Sequence, residues 1–180
     1  MRSINSIAVY CGSSNGLKSS FFDEAVRLGH FLALNKIKLI YGGGDLGIMG
    51  AVSNSVVKNN GKATGVITSY LVDKEMLNKN VENMMVVETM SERKNKMFDK
   101  ADAFLILPGG IGTLEEFFEV LSWKQLSLHS KEIFIYNFEN YWDELIKLIN
   151  KTIDCKFTNS NIKDDYKVID NLNDLSKYLK

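Results

Sequence analysis

The chain is poor in the residues that mark several protein classes. It has two cysteines, Cys11 and Cys155, far apart and without a cluster of histidines, so neither a disulfide framework nor a cysteine metal site is expected. It has one proline, Pro108, and three arginines (Arg2, Arg27, Arg93) among its 22 basic residues. Because bias in composition would not supply them, Pro108 and the arginines draw attention to their own positions. No apolar run approaches the ~18 residues of a membrane-spanning helix, and the N-terminus carries no signal-peptide pattern; the expectation is a cytoplasmic protein without membrane contact. Net charge is absent as well, 22 acidic residues cancelling 22 basic ones. Without a positive field to hold a polyanion, nucleic acid is not an expected partner.

What remains is the composition of an ordinary globular chain, and 180 residues suit one domain. Short β-branched runs alternate with segments of helical period, which predicts an α/β fold: a doubly wound, Rossmann-like parallel sheet flanked by helices. Strands are expected at 4–10, 38–41, 63–68, 84–88, 103–107, 132–136 and 167–169. Helices are expected after Ser20, whose spacing to Asp23 resembles a capping box, and at 47–58, from Thr89 to about Lys100, and at 114–128, 142–153 and 172–179. In the helix at 114–128, Leu114, Phe117, Phe118, Leu121 and Leu128 share one face, while Val120, Trp123 and Leu126 point the other way. A helix apolar on both sides predicts a second buried contact there, most simply a homodimer.

Ten of the 13 glycines fall in three loops, each following an expected strand: Gly12 and Gly16; Gly42, Gly43, Gly44, Gly47 and Gly50; Gly109, Gly110 and Gly112. Loops beyond the carboxyl ends of parallel strands form the ligand crevice, and glycine lets backbone N–H groups approach an anion at a helix N-terminus. A phosphate-bearing small molecule is therefore expected. The run Gly42 to Gly47 fits GxGxxG, yet it follows the second strand, and no acidic residue stands ~20 positions on, where Val66-Ile67-Thr68 is found; NAD is not expected. No P-loop is present. In the third loop, Gly109, Gly110, Gly112 and the Thr113 hydroxyl would make a phosphate nest, with Glu116 one turn into the helix. The alternative is that Thr113 and Glu116 form only a capping box.

The sequence Pro108-Gly109-Gly110-Ile111-Gly112-Thr113-Leu114-Glu115-Glu116 resembles the PGGxGTxxE signature of the LONELY GUY family of cytokinin-activating phosphoribohydrolases, long mislabelled as lysine decarboxylases. Met90-Ser91-Glu92-Arg93-Lys94 is similar to its second motif, and Cys11-Gly12-Ser13-Ser14 and Tyr41-Gly42-Gly43-Gly44 to its nucleotide loops. The chain departs from the pattern after His129, where Lys131 is followed by Glu132 rather than proline. The resemblance implies hydrolysis of the N-glycosidic bond of an N6-modified adenosine 5′-monophosphate, or of AMP, in a homodimer. It implies Arg93 and Glu116 as catalytic residues. Ser13, Gly109, Gly110, Ile111, Gly112 and Thr113 would hold the phosphate, and Gly43, Met90 and Lys94 would line the nucleotide site. No metal or cofactor is called for.

Those residue types suit the chemistry. Breaking a ribosyl bond builds positive charge on the sugar, which a carboxylate stabilises, and a permanently charged guanidinium suits a phosphate or an electron-rich leaving base. The irregular stretch Tyr70–Asn83 is expected near the base, and His30 and His129 are expected to be structural or solvated. A second reading, a nucleotide or molybdenum-cofactor carrier of the same fold, would need the phosphate nest but not a carboxylate at the ribose.

Overall fold

The computed structural model describes residues 3–179. Seven strands form one all-parallel sheet: β1 (Ser6–Tyr10), β2 (Lys38–Tyr41), β3 (Ala63–Thr68), β4 (Asn83–Val87), β5 (Ala103–Ile106), β6 (Glu132–Tyr136) and β7 (Lys167–Ile169), in the spatial order β4-β3-β2-β1-β5-β6-β7. The chain builds outward from β1 to β4, returns, and builds outward again from β5. The order therefore reverses between β1 and β5, where the loops leaving the two strands part and open a crevice.

Alternation along the strands explains the layers. Ile7, Val9, Leu39, Leu105 and Phe134 face one side and pack against α1 (Ser19–Leu34), α2 (Gly47–Lys58) and α6 (Leu172–Ser176). Ala8, Tyr10, Ile40, Phe104, Ile106 and Ile135 face the other and pack against α3 (Met90–Lys100), α4 (Ile111–Gln125) and α5 (Asp143–Asp154). With both faces covered, the strands read as continuous apolar runs. Among the described residues, no helix is long and apolar enough to cross a membrane.

The expected doubly wound sheet is thus the observed one. Strands β2, β3, β6 and β7 and helix α2 have the bounds read from the sequence. Three local readings are corrected. Helix α1 begins at Ser19 with Lys18 at its N-cap and no side-chain cap, so Ser20 lies inside the helix and the capping box with Asp23 does not form. Helix α4 begins three residues earlier than expected, at Ile111, because the extended Gly110 serves as N-cap and Ile111 and Gly112 are already helical. Its faces differ too: Val120 is buried beside Phe117 and Leu121, whereas Phe118, Leu126 and Leu128 are exposed.

Candidate active site

The three glycine loops converge on the crevice. Gly12 N–H donates to the Pro108 carbonyl at 3.1 Å, tying the loop after β1 to the loop after β5, and Met49 N–H donates to the Gly12 carbonyl at 3.2 Å. Gly47 has φ +60°, and a Cβ there would lie 2.4 Å from the backbone of Ser13 and Ser14, so only glycine lets the first and second loops meet. The result is a cleft of about 280 Å³. Cys11, Ser13, Ser14 and Met49 line one side and Gly110, Ile111, Gly112 and Thr113 the other, with Glu75, Arg93 and Glu116 completing the wall.

The start of α4 forms one wall of this cleft. Gly110, its N-cap, provides no side-chain hydrogen bond, so the N–H groups of the first turn, beside the positive end of the helix dipole, suit an anionic ligand. A Cβ built on Gly110 or Gly112 would meet nothing within 4 Å, and neither residue has positive φ. The fold therefore does not require glycine at these two positions, which leave open space and bare backbone at the cleft. Thr113 is buried and already inside the helix, so it does not cap α4 and no Thr113–Glu116 capping box forms.

Arg93 comes from the first turn of α3, a helix capped by Thr89, whose hydroxyl accepts from Glu92 N–H at 3.1 Å. Its side chain, only 5% exposed, is held in one plane: Nε donates to the Val66 carbonyl at 3.0 Å and Nη2 to the Gly42 carbonyl at 3.2 Å. A Cβ on Gly42 would stand 2.0 Å from Nη2, so the loop after β2 needs glycine there to let the guanidinium in. Two carboxylates face it, Glu116 Oε1 at 3.6 Å from Nη1 and Glu75 Oε2 at 4.0 Å from Nη2.

Burial dominates the electrostatics. It pushes the Glu116 carboxyl up to about 7; Arg93 pulls the other way, Glu115 and Glu75 add to the rise, and Lys94 opposes it. Burial raises Glu75 as well, against the attraction of Arg93. The Cys11 thiol, enclosed in the cleft wall, is raised by burial and stays protonated.

Of the residues singled out from sequence, Ser13, Arg93, Gly110, Ile111, Gly112, Thr113 and Glu116 meet in this one cleft. Gly109 lies just behind it, its carbonyl accepting from the Tyr141 hydroxyl at 2.7 Å. Gly43 turns the chain with φ +85° against Ile67 and Met84. Met90 is exposed at the start of α3, and Lys94 points to Glu115 and Glu119 on α4, its Nζ 2.9 Å from Glu119. None of these last three lines the cleft of the single chain. His30 meets Asn59 at 2.8 Å, and His129 meets the Val120 carbonyl at 2.8 Å with its ring against Phe98 and Phe104, so both are structural. Glu75, Cys11, Ser14 and Met49 were not foreseen as individual lining residues. Cys11 and Ser14 belong to a loop whose motif was recognised, whereas for Glu75 the hint was the segment 70–83, which folds over the loop after β2 through Asp45 N–H to the Glu75 carbonyl and Asn78 N–H to the Gly43 carbonyl, at 3.1 and 3.0 Å.

Comparison with known proteins places this arrangement in context. A protein family described as possible lysine decarboxylase matches residues 49–179. The cytokinin riboside 5′-monophosphate phosphoribohydrolase LOG4 of Arabidopsis thaliana is 42% identical over 157 residues, covering 87% of this chain and 73% of the relative. LOG2 of the same plant is 39% identical over 157 residues, covering 87% and 74%. Among solved structures, the molybdenum cofactor carrier protein of Chlamydomonas reinhardtii superposes with a TM-score of 0.75 at 18% identity, covering 99% of this chain and 98% of that one. The molybdenum cofactor binding protein of Rippkaea orientalis gives 0.72 at 19% identity, covering 98% and 95%. At such low identity these two likenesses speak to the fold alone.

Proposed function

The chain belongs to the family of the cytokinin riboside 5′-monophosphate phosphoribohydrolases, and from that premise we propose that it hydrolyses the N-glycosidic bond of adenosine 5′-monophosphates, with or without an N6 substituent, to free base and ribose 5-phosphate. The observation that carries this reading is the Arg93–Glu116 pair, 3.6 Å apart, in the same cleft as an uncapped helix N-terminus.

The phosphate sits against the first turn of α4 and the Ser13 turn, where backbone N–H groups and the helix dipole favour it. This places the ribose over Arg93 and Glu116. As the bond to the base lengthens, positive charge grows at C1′ and negative charge on the base. The Glu116 carboxylate stabilises the first and the Arg93 guanidinium the second. Arg93 is held by the Val66 and Gly42 carbonyls before the ligand arrives, so little reorganisation of the guanidinium is needed as charge develops. Decarboxylation of an amino acid would call for a lysine to carry pyridoxal phosphate, and among the described residues no lysine lines the cleft. Two copies of the chain pair through the exposed side of α4, which presents Ile111, Phe118 and Leu126.

The carrier alternative is separated by turnover. Replacing Glu116 by Gln keeps the size of the side chain while removing its charge. The expected result is nucleotide binding retained and base release reduced by at least ~100-fold, as when one transition-state contact is lost. A wild-type protein that binds AMP tightly yet releases no adenine would instead be a carrier.

A further inference from the structure

The Arg93 guanidinium stands between two carboxylates, and the reaction proposed above gives work to only one of them. Glu116 belongs to α4 and is 9% exposed. Glu75 comes from the irregular segment after β3, and its side chain is 19% exposed. The residue lines the wall of the cleft, and its Oε2 atom is buried without a hydrogen-bond partner. A buried carboxylate oxygen left in this way lacks a donor that a ligand or a water must bring.

The segment that carries Glu75 is anchored, not loose. Glu75 N–H donates to the Leu71 carbonyl at 2.8 Å and its carbonyl accepts from Asp45 N–H at 3.1 Å. Three residues on, the fully buried Asn78 amide donates to Ser53 Oγ at 2.9 Å and Asn54 Oδ1 at 3.1 Å on α2. The carboxylate is thus held on the Nη2 side of Arg93, with Glu116 on the Nη1 side, and its side chain is the more exposed of the two, 19% against 11%.

We propose that Glu75 is the carboxylate that takes the proton from the attacking water. The assignment rests on the phosphoribohydrolase reading. Hydrolysis of a glycosidic bond commonly divides its tasks between two carboxylates, one at the sugar and one at the water. In this site Glu116 faces the ribose and Glu75 receives the water. The water oxygen bonds to C1′ as the C1′–N9 bond breaks, and that bond's electron pair leaves on N9 beside Arg93. Glu75 accepts a proton from the water, and the departing base takes one from solvent. Glu75 then returns its proton to solvent, so nucleotide and water give base and ribose 5-phosphate. Burial, which raises the basicity of Glu75 above that of a free carboxylate, favours the role.

The test is chemical rescue. In Glu75→Ala, kcat for AMP should fall by about 10²- to 10⁴-fold, the usual contribution of a general base. Sodium azide, a nucleophile that needs no base and fits the space the carboxylate leaves, should then restore release of adenine at least about tenfold and yield ribosyl azide 5-phosphate, identified by mass spectrometry. Azide should give no relief to Glu116→Gln. Glu75→Gln, which preserves the packing of the segment, should lose kcat to a similar degree and decides the matter if the alanine variant does not melt cooperatively. An unchanged kcat would overturn the proposal, and so would a loss that azide does not relieve, including a rise in KM alone, which would make Glu75 a ribose contact. If wild-type protein released no base from any nucleotide, the phosphoribohydrolase reading itself would fall.

Discussion

Replacing Gly112 by alanine should make the protein more stable and a poorer binder of its substrate. Gly112 is the second residue of α4, its φ is not positive, and an added Cβ would touch nothing within 4 Å. Alanine in place of glycine in a helix gains roughly 0.5–1 kcal/mol. For a chain of this size that corresponds to a rise of about 1–4 °C in Tm. The same empty space is where the phosphate is placed. A methyl group there crowds a close-packed ligand at a cost of about 1–3 kcal/mol, or roughly 5- to 150-fold in affinity. Scanning fluorimetry reads the first effect, and the KM for AMP, measured by chromatographic release of adenine, reads the second. The kcat should change little, because the proposed binding mode puts the reacting bond over Arg93 and Glu116. An unchanged KM would show that the phosphate does not sit on this turn. A fall in Tm would show that the space is not free.

Gly42→Ala should act the other way, on turnover: its Cβ would stand 2.0 Å from Arg93 Nη2, forcing the guanidinium aside, and a displacement of this kind costs ~100-fold in kcat; wild-type turnover would refute the placement of Arg93. Because burial pushes Glu116 of the ligand-free protein up to about 7 and the proposed role needs it ionised, kcat/KM for AMP should fall as pH drops through about 7, tenfold per unit below it; a flat profile from pH 5 to 8 would exclude Glu116 as the ionised stabiliser. Lys94→Met removes a charge that holds the Glu116 carboxyl down, so the same limb should move to higher pH, while stability falls by at most ~1 kcal/mol because the Glu115 and Glu119 partners are partly exposed; an unmoved limb would place Lys94 in another role. Phe118→Glu on the exposed side of α4 should convert a dimer into monomers in analytical ultracentrifugation, and an unchanged sedimentation coefficient would move the interface elsewhere.

The sheet was legible in the sequence because its strands are buried on both faces. Runs such as Ala103-Phe104-Leu105-Ile106 have no other stable place, and the glycine loops mark their carboxyl ends. Helix ends were harder to read. Gly110-Ile111-Gly112 reads as loop by propensity, yet Gly110 is the N-cap of α4 and Ile111 and Gly112 open its first turn. The apolar pattern of α4 was visible, but its buried stripe is rotated from the one read: it runs through Phe117, Val120 and Leu121 and leaves Phe118 outside. Arg93 and Glu116 were found through their motifs and the scarcity of arginine. Glu75 left no such trace. It reaches the cleft only because a segment without periodicity folds back over the loop after β2, and contacts so distant in sequence have no local signature.

The central claim is that a phosphate held on the α4 turn delivers the glycosidic bond to Arg93 and Glu116. It is tested most directly by incubating the purified protein with isopentenyladenosine 5′-monophosphate, with AMP and with the unphosphorylated riboside, and measuring free base by chromatography. The account predicts release from both monophosphates, none from the riboside, and loss of release in Arg93→Ala and Glu116→Gln. Equal release from the riboside, or no release from either monophosphate, would contradict it.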